Sequence, residues 1–263
     1  MAQNPCPYLL KFYKENSDGT AKLKAYNKHL RKSDIVGIGK LTKITELYLG
    51  QNNLNSIPPE LSKLSKLKIL WLDQADLNSI PPELSKLSNL TELDLARNNL
   101  NSIPPELSKL SKLTVLNLSG NILNSIPPEL SKLSNLTELY LDQNNLNSIP
   151  PELSNLSKLK ILYLGQNKLR FLPLSFKNFK NLKNLYFFDN PSMVFPPKKI
   201  MDNSDANIHK SVEDWQYLGE PKANEQVILK YLETKEAMDL FVILFPPSSF
   251  LQDISSLFSY SST

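Results

Sequence analysis

Seven apolar residues, Ile44, Leu67, Leu90, Leu113, Leu136, Leu159 and Leu182, stand 23 positions apart in this chain. The unit they begin reads LxxLxLxxNxLxxIPPELxxLxx, and it is almost unaltered in residues 90–112 and 136–158. One such unit is too short to bury its own apolar side chains, so it must stack on its neighbours. The expected fold is therefore an α/β repeat solenoid rather than a closed globule.

Within each unit, LxxLxL alternates with period 2, the pattern of a short strand with one face inward. An Asn three positions after the last strand Leu ends the strand, as at Asn52, Asn98, Asn121, Asn144, Asn167 and Asn190. Its amide can satisfy backbone groups of a buried turn. The second unit departs from this, with Ala75 at the Asn position. Alanine cannot make those hydrogen bonds, so a water or a local distortion is expected there. The following Ile57-Pro58-Pro59-Glu60-Leu61 and its copies cannot continue a sheet, because paired prolines remove two donors. Pro and Glu instead suit the first turn of a short helical or 3-10 segment. Each coil then supplies one strand to a parallel concave sheet and one short segment to the convex side.

This pattern resembles the leucine-rich-repeat family, in particular its 23-residue "typical" class, found in intracellular Ras-binding scaffolds and in bacterial (Legionella-type) effectors. The resemblance spans residues 41–197 and implies a curved horseshoe with a cap at each end. The chain accordingly divides into a helical N-terminal cap (1–43), seven repeats (44–197) and a C-terminal cap with helices and an amphipathic tail (198–263). In the first cap, Leu23, Tyr26 and Leu30 predict an amphipathic helix over 21–32, its basic face formed by Lys22, Lys28, Arg31 and Lys32. Ile38 and Leu41 add half a repeat. In the last cap, Phe195-Pro196-Pro197, Ile200 and the run 227–232 resemble the segment closing many bacterial arrays, interrupted over 203–223. Phe250, Leu251, Ile254, Leu257 and Phe258 predict a final amphipathic helix, readable as a cap, a partner-binding element or a secretion signal.

A formal charge of +4 over 263 residues lacks the concentrated Lys and Arg of a nucleic-acid binder. The 7 Gly leave few candidates for phosphate-cradling loops, and the single Cys6 excludes an internal disulfide framework or a cysteine-based structural zinc site. The N-terminal MAQNPCPYLLKFYKENSD has no apolar core of the signal-peptide kind, and no apolar run approaches the ~20 residues of a membrane span. The expectation is a soluble monomer made in a cytoplasm. Resemblance to effectors adds translocation into a host cell. The sequons at Asn89 and Asn135 read as by-products of the repeat rather than glycan sites.

Internal comparison shows where the units differ. NSIPPELSKLS recurs without change in repeats 1 to 4, whereas strand residues pointing away from the core vary. The central column of that face reads Tyr48, Trp71, Asp94, Asn117, Tyr140, Tyr163, Tyr186. The column before it reads Glu46, Ile69, Glu92, Val115, Glu138, Ile161, Asn184; the column after, Gly50, Asp73, Ala96, Ser119, Asp142, Gly165, Phe188. Exposed Tyr and Trp are common interface anchors, although aromatics also stack along sheets for structural reasons. The carboxylates between them make the face acidic, with Arg97 the main exception. A protein partner with basic and apolar groups is favoured there, and nucleic acid is repelled.

The catalytic inventory is thin. His29 and His209 lie in opposite flanks, and a Cys6–His29 pair has no third member or oxyanion loop. Neither a metal-ligand cluster nor a P-loop or kinase signature is present, so no cofactor is expected. Some effectors with this array carry a cysteine-dependent ubiquitin ligase; no cysteine follows residue 197. The alternatives to a binding module are a small enzymatic centre near His209, Asp214 and Trp215, and a scaffold that associates with membranes through its terminal helices.

Overall fold

The computed structural model describes residues 5–35 and 37–193. Among these residues nine strands form one sheet in chain order: β1 (Tyr13–Glu15), β2 (Ala21–Lys24), β3 (Ile44–Tyr48), β4 (Ile69–Trp71), β5 (Glu92–Asp94), β6 (Val115–Asn117), β7 (Glu138–Tyr140), β8 (Ile161–Tyr163) and β9 (Asn184–Tyr186). From β2 to β9 every pair is parallel; β1 alone is antiparallel, against β2. The result is a curved solenoid, with the sheet on the concave side.

The convex side is built by the proline motif. Pro58 takes an extended conformation, and Pro59 opens a 3-10 turn over Pro59–Lys63 that the amides of Leu61 and Leu64 close onto Pro58 O and Leu61 O. The same turn recurs at Pro82–Lys86, Pro105–Lys109, Pro128–Lys132 and Pro151–Asn155. Between the two sides lies one continuous core, in which Leu93, Leu95, Leu100, Leu107 and Leu113 of the third repeat and its successor are all fully buried.

The Asn column works as a hydrogen-bonded ladder. Asn98 Oδ1 accepts from the amides of Ala75 and Leu77 (3.0 and 2.9 Å). Its Nδ2 donates to Leu72 O, Leu95 O and Ala96 O. Each Asn thereby ties its own turn to the preceding coil and satisfies backbone groups that no sheet partner reaches.

At Ala75 the expected distortion is present. In regular coils an Asn Oδ1 accepts the amide of the Leu one coil back, as Asn121 does from Leu100. Here Ala75 O takes that place, accepting from Leu54 N and Asn55 N at 3.1 and 3.2 Å. Asn55 goes to positive φ (60°), which no other described coil requires at the matching position, and Asp76 does so too (56°), as His29 does at its place in the first coil (54°). A backbone carbonyl has taken over the acceptor role of the missing side chain, while its donor role stays unfilled.

Residues 21–32 overturn one expectation. Their apolar spacing is realised as β2 and a following turn, not as an amphipathic helix. Among its described residues, the cap has one α-helical turn, α1 (Pro7–Leu10), and 3-10 turns at Lys32–Ile35 and Ile38–Lys40. Ala21, Leu23 and Ala25 are fully buried with period 2, and β2 pairs with β3 through a bulge between Ala21 and Lys22. The cap is thus a further coil, offset by 24 residues at Leu23–Leu47. The expected C-terminal helices and tail, with His209, Asp214 and Trp215, lie outside the described residues. Among the described residues, no helix is long and apolar enough to cross a membrane.

The outer Asn of the sequons is also structural. Asn89 and Asn135 donate Nδ2 to Ser65 O and Ser111 O one coil back, both at 2.8 Å. Lys112 and Lys158 donate to their Oδ1 atoms.

Candidate protein-binding face

Strand register places the variable residues in line. Tyr48, Trp71, Asp94, Asn117, Tyr140, Tyr163 and Tyr186 are successive partners from β3 to β9. Rungs ~4.8 Å apart make this column about 30 Å long. Glu92 and Glu138 lie in the column before, and Asp73, Asp142 and Phe188 follow the strands on the other side. Arg97 sits on the rim at positive φ and is exposed.

The rings do not project freely. Tyr48 meets Trp71 edge to face with centroids 4.9 Å apart. Tyr140, Tyr163 and Tyr186 form a second run at 5.0 and 4.2 Å. All are half-buried except Tyr186, which is buried at 8 % exposure. Edge-to-face packing restricts each ring before any partner arrives, so little rotamer freedom is left to lose on binding.

Polar tips are equally fixed. Tyr48 and Tyr140 donate to Glu46 and Glu138 (2.9 and 2.7 Å), and Trp71 Nε1 donates to Glu92 Oε1 (2.7 Å). Burial, followed by the bond to Glu46, pushes the Tyr48 phenol up to about 12; the same causes raise Tyr140, with Glu138 as acceptor. Both therefore remain protonated donors at physiological pH. At Glu46, burial opposes the charge, but hydrogen bonds from Lys22 and Tyr48 outweigh it and hold the carboxyl below its ordinary range.

Sequence reasoning missed the first rung of this face. Lys22 and Lys24 of β2 pair with Glu46 and Tyr48 of β3. Lys22 Nζ bonds Glu46 Oε1 at 2.6 Å, and Lys24 lies 5.5 Å from the Tyr48 ring centre. Tyr26 crosses Gly50, where a Cβ would collide with it and with Asp73, and donates to Asp73 Oδ2 at 3.0 Å. Arg97 is thus not the main cation here; the face is basic at its start and acidic in its middle. The alternation in AKLKAY was the available signal, hidden by an i, i+3, i+7 spacing that fits a helix equally well.

Asp94 and Asp142 differ from Glu46. Both titrate above the ordinary aspartate range, chiefly because burial disfavours their charge. Hydrogen bonds from Ala96 N and Asn117 to Asp94, and from Ser119 Oγ to Asp142, counter this only in part. A carboxyl with a raised folded pKa contributes stability while protonated, and that contribution is lost as pH rises through the folded value. Asp142→Asn keeps an acceptor for Ser119 and removes the charge. Thermal unfolding of the variant is expected to match the parent below about pH 2.5, well under the unfolded aspartate value, where both states are protonated. Its melting temperature should rise above the parent's as pH increases to 7; a variant less stable at pH 7 than at pH 2.5, relative to the parent, contradicts this.

Among the described residues, no group of three or more His, Cys, Asp or Glu is placed to hold a metal ion.

A family model described as "Leucine rich repeat" matches residues 65–123, 88–146 and 134–191, and a single-repeat model of the same description matches 43–64. The matches together run from 43 to 191, more than half of the 263 residues. Among solved structures, the plant peptide hormone receptor RGFR1 in complex with RGF2 is similar, at 36% identity and a TM-score of 0.53, over 57% of this chain and 25% of that one. The PEPR1-AtPEP1 structure is similar at 30% identity and a TM-score of 0.60, over 69% of this chain and 26% of that one. The chain thus spans about a quarter of the length of these relatives. No curated protein matches the chain.

Proposed function

The chain belongs to the leucine-rich-repeat family, and from that membership we propose that it is a protein-interaction module whose partner lies on the concave face. The carrying observation is the seven-rung column of two ring clusters divided by Asp94 and Asn117. It is rigid, amphipathic and long enough for a helix or an extended segment. The similar solved structures include a plant peptide hormone receptor in complex with RGF2, which supports a binding role.

A photo-cross-linking residue placed at Val115 on the concave face should capture a partner that the same residue at Lys109, in a convex 3-10 turn, does not. The triple variant Trp71→Ala, Tyr140→Ala, Asp142→Lys should lose that capture by tenfold or more, since central aromatic anchors each carry about 2 kcal/mol or more. Equal capture by parent and triple variant sinks the site.

The finer reading is a bacterial effector, made in a cytoplasm and passed into a host cell to engage a protein there. Its support is the resemblance of residues 195–232 to the closing segment of bacterial arrays. A reporter fused to the full chain should reach host cytosol from a bacterium with an intact secretion system; a reporter retained in the bacterium rejects the role.

A further inference from the structure

The centre column is interrupted in its middle. Rungs β5 and β6 carry Asp94 and Asn117 where the rungs on both sides carry rings. Beside them, Ala96 and Ser119 are also short. These four side chains floor a depression between Trp71 and Tyr140, which stand three rung steps, or about 14 Å, apart.

The depression carries negative charge, and among the described residues no cation forms an ion pair with its carboxylates. Asp94 lies on its floor, with Glu92 and Asp142 at its margins. Their hydrogen bonds come from neutral donors: Ala96 N and Asn117 to Asp94, Trp71 to Glu92, Ser119 to Asp142. Among the described residues, the ion pairs are Lys22–Glu46 and Lys43–Glu15, both nearer the N-terminal end. Arg97 on the rim offsets Asp142 at a distance but forms no ion pair with it. Burying carboxylates without a cation is unfavourable. The fold pairs Glu46 with Lys22 on the first rungs and, among the described residues, gives Asp94 and Asp142 in the middle no direct cation partner.

We infer that this depression seats an arginine side chain of the partner, presented by an extended segment with apolar groups on either side of it. The inference rests on the concave-face reading and names the chemistry of its occupant. A guanidinium carries five donors in a planar fork that matches carboxylates, and its stem and face pack against aromatic rings. The flanking apolar groups lie on the Tyr48–Trp71 pair and the Tyr140–Tyr163 pair. Charge and shape along the column thus specify an apolar–basic–apolar order.

The test is selection from a phage-displayed random nonapeptide library on the full-length chain, followed by fluorescence polarisation of the enriched peptides. Enriched peptides should carry a central Arg between apolar residues. Asp94→Asn/Asp142→Asn should bind them at least ~10-fold more weakly, with a reduced dependence on salt. Replacing the central Arg by norleucine should abolish the difference between this variant and the parent. Peptides that need Trp71 and Tyr140 but lack a cation, or ignore the double Asn variant, overturn the inference while leaving the concave face in place. Peptides equally indifferent to Trp71→Ala/Tyr140→Ala overturn both, and a library that yields no enriched peptide overturns the inference.

Discussion

Asn98→Ala is expected to destabilise the array by about 3–5 kcal/mol, clearly more than the same change at Asn121, at about 2–3 kcal/mol. The difference comes from how the ladder shares its donors. Leu95 O receives Nδ2 from both Asn98 and Asn121, and Leu118 O from both Asn121 and Asn144. Removing Asn121 therefore leaves each of these carbonyls one donor. Leu72 O has no such reserve: Ala75 contributes no amide, so among the described residues Asn98 alone reaches it with a side chain. Removing Asn98 also orphans the amides of Ala75 and Leu77. Buried polar groups left without partners cost roughly 1–3 kcal/mol each, and two losses in adjacent coils cannot be relieved by the carbonyl exchange already used at Ala75. Urea midpoints of the two variants test this. Equal midpoints mean that donor sharing does not set the cost.

Phe176→Ala should lose about 3–5 kcal/mol, whereas Phe176→Leu should lose about 1 kcal/mol. Phe176 occupies the position held by Leu61, Leu84, Leu107, Leu130 and Leu153 in earlier coils, and it is fully buried. Phe179 replaces the next Leu in the same way, and the two rings pack edge to face at 5.0 Å. Leucine at this site is the side chain the preceding coil already accommodates, so little volume is left empty. Alanine opens a cavity beside Phe179, and the coil has no interchangeable neighbour to collapse into it. Because each coil packs mainly on adjacent ones, hydrogen exchange should show the loss concentrated over residues 161–193. Uniform loss from residue 44 onward would show instead that the whole array unfolds as one unit.

Much of the fold was legible because a repeat states its structure many times. The 23-residue spacing located β3 to β9, and the period-2 pattern gave the three columns of the concave face in their true register. The Pro-Pro-Glu motif announced a short convex turn, since paired prolines exclude a sheet. Legibility failed where the pattern occurs once. Leu23, Tyr26 and Leu30 satisfy helical spacing, yet Ala21 and Leu23 face the core of a strand whose register is shifted by a bulge. Lys22, Lys24 and Tyr26 were lost from the concave face with it.

The sequence by itself determined the periodic part: which residues face inward, which outward, and the order in which outward residues line up. Only the tertiary structure decided what those outward residues do to one another. Tyr48 and Trp71, or Ser119 and Asp142, are 23 residues apart in the chain and adjacent in space. Ring packing, carboxylate burial and the exchange of a carbonyl for an amide at Ala75 arise from contacts between coils. Local propensity contains no term for such contacts, because their energies depend on side-chain geometry across a rung rather than on spacing along the chain.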